Sequence, residues 1–128
     1  MTLRTPEFTT RPVLTGGFGM VASTHWLASQ TGMAVLERGG NAFDAAVAAG
    51  FVLQVVEPEM NGPGGEVPIL AWHAGEQRPS VVCGQGTAPD AADIAAFEDL
   101  GLDLVPGTGQ LPACVPGSFG AWMLLLQR

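Results

Sequence analysis

The sequence contains no lysine and no tyrosine, and only 13% of its 128 residues are charged. Its five basic residues, Arg4, Arg11, Arg38, Arg78 and Arg128, are scattered, and the net charge is -7. No electropositive track exists for a phosphate backbone, so nucleic acid is excluded as an expected partner. Long apolar runs are also missing. The stretch "AAVAAGFVL" (45–53) falls well short of the roughly 20 residues of a membrane span. No membrane association is expected. The opening "MTLRTPEFTTRPVLTGG" has no apolar secretory core, which gives a cytoplasmic expectation. Histidine is limited to His25 and His73, and the two cysteines, Cys83 and Cys114, form no CxxC. That spacing holds no metal site. The cysteines read as buried free thiols and the histidines as structural or surface residues.

What is abundant is small and apolar. Hydrophobic residues make up 47% of the chain and glycines number 18, so a core and many tight turns are expected. Residues 1–17 read as a polar arm, and 18–128 as the folded part. "FGMVAS" (18–23) reads as a short strand, with Ser23 or Thr24 capping a first helix that runs to about Arg38. The inward face of that helix carries Ala28, Thr31, Gly32, Val35 and Leu36. Glycine in mid-helix costs about 1 kcal/mol against alanine, so Gly32 marks a close contact with another backbone. In "RGGNAFDAAVAAG" (38–50), Gly39 and Gly40 permit the left-handed end of one helix and Asn41 caps the next. Asp44 suits the positive end of that second helix, expected over 42–56 and apolar all round.

"VPILAW" (67–72) and "SVVCG" (80–84) read as an antiparallel pair around "HAGEQRP". A third helix is expected after Pro89, capped by Asp90, with Ile94, Phe97 and Leu100 or its neighbour inward and Gly101 at its end. "LDLVPGTGQLPACVPG" is a long loop, and "SFGAWMLLLQR" an amphipathic helix with Phe119, Trp122, Met123 and Leu126 in one stripe. The glycines of "NGPGG" (61–65) permit an amide nest for an anion, but without an adjacent lysine they read as a tight turn feeding a strand. In "CGQGTAP" (83–89), Gly84 and Gly86 flank Gln85. Either the glutamine amide is aimed beyond the strand end, or the segment is a plain turn. The acidic clusters read as solvated faces, and no nucleophile with a partner base can be nominated.

Residues 19–72, with "GMVAS", "GGNAFDAAVA", "VVEP" and the glycine-rich turn before a strand, resemble the N-terminal region of the gamma-glutamyltransferase (gamma-glutamyl transpeptidase) family. The likeness continues through "TAP" (87–89) and "PACVPGSFGAW" (112–122). It implies an α+β piece of the N-terminal-nucleophile hydrolase fold, the four-layer αββα sandwich, incomplete in this chain. Members are precursors that cleave themselves, and the new N-terminal threonine of the small subunit is the nucleophile. No such catalytic residue is expected among these 128.

The resemblance implies gamma-glutamyl transfer or hydrolysis, or related small-amide chemistry, by the complete protein. The partners would be a small-molecule amide substrate and the remainder of the precursor. No cofactor or metal is implied. In typical members an arginine just ahead of the "AP" motif binds the substrate alpha-carboxylate, and alignment on "TAP" puts Gln85 there. Glu66 stands where the family continues its glycine run. A glutamine supplies no charge and cannot replace a bidentate guanidinium, so the gamma-glutamyl preference is expected to be weak. The reading from another class is a free-standing, non-catalytic binding or interaction module.

Overall fold

The structure is a computed structural model and describes residues 12–128. Residues 1–11, most of the expected arm, lie outside the described residues. Two helices come first, α1 (Trp26–Glu37) and α2 (Ala42–Val56). A hairpin of β1 (Val67–His73) and β2 (Arg78–Gly84) follows, then the short α3 (Ile94–Asp99) and α4 (Ser118–Leu125).

The corner between α1 and α2 is built by local chemistry. Gly39 takes a φ of 92°, the left-handed region where glycine meets no side-chain penalty. Asn41 Oδ1 then accepts from the amides of Phe43 (2.8 Å) and Asp44 (3.0 Å). Asp44 Oδ2 returns the contact by accepting from the Asn41 amide at 2.9 Å. This reciprocal capping box satisfies amides that the first helical turn leaves free. The start of α1 differs from the sequence expectation. His25 is its cap and accepts from Leu27 N through Nδ1, while Ser23 donates to the His25 carbonyl.

Close approach of the two helices depends on Gly32. A Cβ there would lie 3.2 Å from the Ala45 carbonyl of α2 and 3.0 Å from Val21 Cγ1. The expected backbone contact is therefore present, with Ala28 and Ala45 buried alongside it. "FGMVAS" forms no strand, because the segment finds no ladder partner among the described residues. Nor is α2 covered all round, since Val55 is 78% exposed.

In the hairpin, Val67 pairs with Gly84 and His73 with Arg78. Side-chain alternation turns Val67, Ile69, Ala71 and Val82 toward the helices. The opposite face leaves Leu70, Trp72 and Val81 exposed. Cys83 follows the same outward alternation and Cys114 lies in a loop, so both thiols are exposed rather than buried. At the hairpin turn, the hydrogen bond and charge of Arg78 hold the Glu76 carboxyl below its ordinary range. His73 Nδ1 accepts from Glu76 N, a structural role like that of His25.

Two helices differ in detail from their sequence pattern. Asp93, not Asp90, caps α3 by accepting from Ala96 N, and Ile94 and Leu100 point to solvent. On α4 the buried stripe is Ser118, Ala121, Trp122 and Leu125, whereas Phe119, Met123 and Leu126 face outward. Both stripes have helical spacing, and Trp122 belongs to each. The glycine at position 50 decides between them, because the Trp122 ring lies where a Gly50 Cβ would stand, 2.5 Å from ring atom Cζ2. Val47, Trp122 and Leu125 form the core, with Phe43, Phe51 and Ile69 against them.

Two stability measurements check this packing. Gly50→Ala should destabilise by about 1–3 kcal/mol through overpacking against Trp122. Gly120→Ala, with nothing within 4 Å of its new Cβ, should stabilise by about 0.5–1 kcal/mol through helix propensity. Urea unfolding of both variants reads the two signs, and a neutral Gly50→Ala would contradict the packing described. Separately, Ser118 is fully buried with polar partners on two sides, so Ser118→Ala should cost about 1–3 kcal/mol by orphaning them. The same unfolding measurement checks it.

Candidate functional site

The chain leaves the sheet at Gly84 and crosses the loop that leads into α4. Gly86 has a φ of 73°, and a Cβ on it would collide with the Val115 carbonyl. Val115 N donates to Thr87 O at 2.8 Å. A Cβ on Gly117 would stand 2.5 Å from Gly84 O and 2.7 Å from Gly86 N. Glycine at these two positions lets two backbone segments, 84–87 and 115–117, cross at contact distance. The amides of Gly117 and Ser118 both donate to the Gly65 carbonyl, at 3.3 and 3.1 Å, and tie the glycine-rich turn to the same crossing.

Beside the crossing is an open cleft of about 190 Å³ lined by Gly64, Gly65, Glu66, Gln85, Cys114 and Val115. Gln85 is exposed at its mouth. The thiol of Cys83 donates to Gln85 Oε1 at 3.6 Å, which leaves the glutamine NH₂ free to donate to an acceptor in the cleft. Glu66 is the residue before β1. Carrying the Val67 to Gly84 register on by one residue sets Glu66 across from Gln85. The lining includes no arginine.

The "NGPGG" turn presents carbonyls inward rather than a nest of amides. Ser118 Oγ donates toward Gly62 O (3.4 Å) and Pro63 O (3.3 Å), and accepts from Gln54 Nε2 at 3.2 Å. Ser118 and Gln54 were not legible as a structural pair. The only signal was a serine after "PG" at a helix start, and the partner lies 64 positions away. A larger groove of about 330 Å³ runs between Met20–Ser23 and α2, but its walls are alanine, leucine, valine and Trp122, without convergent polar groups. It is a packing groove.

Among the described residues, none of the serine, threonine or cysteine side chains at the cleft is hydrogen-bonded to a base. Cys114 Sγ, the thiol lining it, donates to the Pro112 carbonyl. Thr24 Oγ1 donates to the carboxylate of Glu57, an exposed contact that joins the start of α1 to the end of α2 away from the cleft. No group of three His, Cys, Asp or Glu converges on a cation position among the described residues. No helix among them is long and apolar enough to cross a membrane. The cleft can therefore bind and orient a polar group, through an amide donor beside a carboxylate.

Comparison with known proteins agrees with this architecture. The chain is 51% identical over 120 residues to the glutathione hydrolase proenzyme of Escherichia coli, covering 86% of this chain and 19% of that protein. A solved structure of LmbA superposes with a TM-score of 0.83 at 68% identity, over 93% of this chain and 20% of the other. The cephalosporin acylase of Bacillus halodurans superposes with a TM-score of 0.80 at 34% identity, over 98% of this chain and 24% of the other. The chain thus spans about a fifth of the length of the curated relatives it matches. Residues 28–128 match the family model described as Gamma-glutamyltranspeptidase, and the chain belongs to that family.

Proposed function

We propose that the complete protein is an N-terminal-nucleophile hydrolase of gamma-glutamyltranspeptidase type, and that this chain belongs to the N-terminal region of its large subunit. The family match over 28–128 carries the reading. Uncovered apolar side chains support a further layer: Leu70, Trp72 and Val81 on one sheet face, and Phe119 and Met123 on α4. A second sheet against the first would complete an αββα sandwich. The location proposed is the cytoplasm.

In the proposed reaction, the hydroxyl of an N-terminal threonine outside this chain attacks the acyl carbon of an amide. The threonine alpha-amine takes the hydroxyl proton and passes it to the departing amine, and an acyl ester remains. Water or an amine acceptor then releases the acyl group. The residues described here support that chemistry from one side of the substrate, through the Gln85 amide in the cleft beside Gly65 and Val115. A neutral amide holds a carboxylate less strongly than a bidentate guanidinium does, by about 1–2 kcal/mol, roughly tenfold in binding. The acyl donors that fit best are gamma-glutamyl compounds held weakly and related uncharged amides.

Residues 1–128 alone should not hydrolyse a gamma-glutamyl anilide above background, whereas the processed full-length protein should. Turnover by the purified chain that a substitution within it abolishes would overturn the assignment of the nucleophile to another segment. In the full-length protein, Gln85→Arg should raise kcat/KM for the gamma-glutamyl anilide about tenfold relative to an uncharged acyl anilide. Steady-state kinetics on both substrates checks this. An unchanged ratio would place Gln85 in a structural turn rather than against the substrate.

A further inference from the structure

The cleft at Gln85 carries a charge as well as a hydrogen-bond donor, and the charge has the wrong sign for a carboxylate ligand. We infer that Glu66 is a specificity-determining residue that disfavours a free carboxylate next to Gln85 and favours an acyl group bearing an ammonium or no charge there. The inference rests on the proposed reading of the cleft as the substrate site. Its own basis is placement.

Glu66 and Gln85 are the first residues beyond opposite strands of the hairpin, across from one another, and both line the same cleft. The Gly65 carbonyl just before Glu66 is held by the amides of Gly117 and Ser118, so the backbone that carries the carboxylate is anchored to α4. No cation answers it within the cleft. Arg78 stands at the opposite end of β2, paired with Glu76. The remaining lining residues are glycine, valine, cysteine and the neutral glutamine. A ligand carboxylate accepting from Gln85 would therefore sit beside an unneutralised like charge. An ammonium in the same place would find an ion-pair partner. At an exposed site such a pair is screened, so the discrimination is modest and depends on salt.

Two probes isolate this effect. The gamma-glutamyl anilide and the 4-aminobutyryl anilide differ only by the alpha-carboxylate. With the full-length enzyme at low salt, wild type should favour the 4-aminobutyryl compound in KM, and Glu66→Gln should move the ratio about threefold to tenfold toward the gamma-glutamyl compound. The change should appear in KM rather than kcat and should shrink as salt is raised. Glu66→Asp should keep the wild-type ratio, because it keeps the charge; a merely structural glutamate would predict similar losses on both probes. If Gln85→Arg moves the ratio and Glu66→Gln does not, the inference about Glu66 fails while the cleft remains the substrate site. If both anilides are turned over and neither substitution moves the ratio, the reading of the cleft fails, and the inference with it. Turnover of neither anilide by the processed full-length enzyme would overturn both.

Discussion

The Ser118 hydroxyl has no exposure to solvent, yet three segments distant in sequence meet at it: Gln54 on α2, the Gly62 and Pro63 carbonyls of the glycine-rich turn, and α4 itself. A buried hydroxyl without partners costs about 1–3 kcal/mol, more than a satisfied one contributes, so the arrangement is held as a unit. The Gly117 and Ser118 amides on the Gly65 carbonyl extend the junction to the start of β1. Because α4 begins here without a side-chain cap, the amides of Gly117 and Ser118 are satisfied by the turn rather than by a capping side chain. The position of the turn and the direction of α4 are thus one constraint.

Packing follows from that constraint. Once Ser118 is anchored, the helical period brings Ala121, Trp122 and Leu125 to the same face, and Trp122 lands on the one position of α2 where no side chain intervenes. A small residue at 50 and a large one at 122 are complementary, and neither alone identifies the other. The indole Nε1 of Trp122 is buried without a partner, so this ring is placed by shape rather than by hydrogen bonding. The cleft is the other product of the junction: Gly86 and Gly117 let the loop cross the strand end closely enough for Val115 and Cys114 to face Glu66 and Gln85.

Much of this was legible because it is local. The "GGN" corner, the cap at Asn41, the bounds of α2 and the antiparallel hairpin depend on residues within a few positions of each other, and backbone conformation and capping act over that range. Gly32 was legible as a close contact because mid-helix glycine carries a local cost that something else must offset. The resemblance to the gamma-glutamyltransferase family also lay in contiguous motifs, and the match over 28–128 agrees with it.

Tertiary structure alone decided which of two helical stripes on α4 is buried. Both have the same period, and only contact with Gly50 and the Ser118 junction separates them. It also decided that 18–23 pairs with no other segment among the described residues, since strand formation depends on a partner and not on the segment's own composition. The exposure of Cys83 was set the same way, by the direction of alternation on β2. At the cleft, the sequence by itself put Gln85 between two glycines and Glu66 ahead of a strand. Their facing one another comes from the hairpin register, a relation between residues 19 apart that no local pattern encodes.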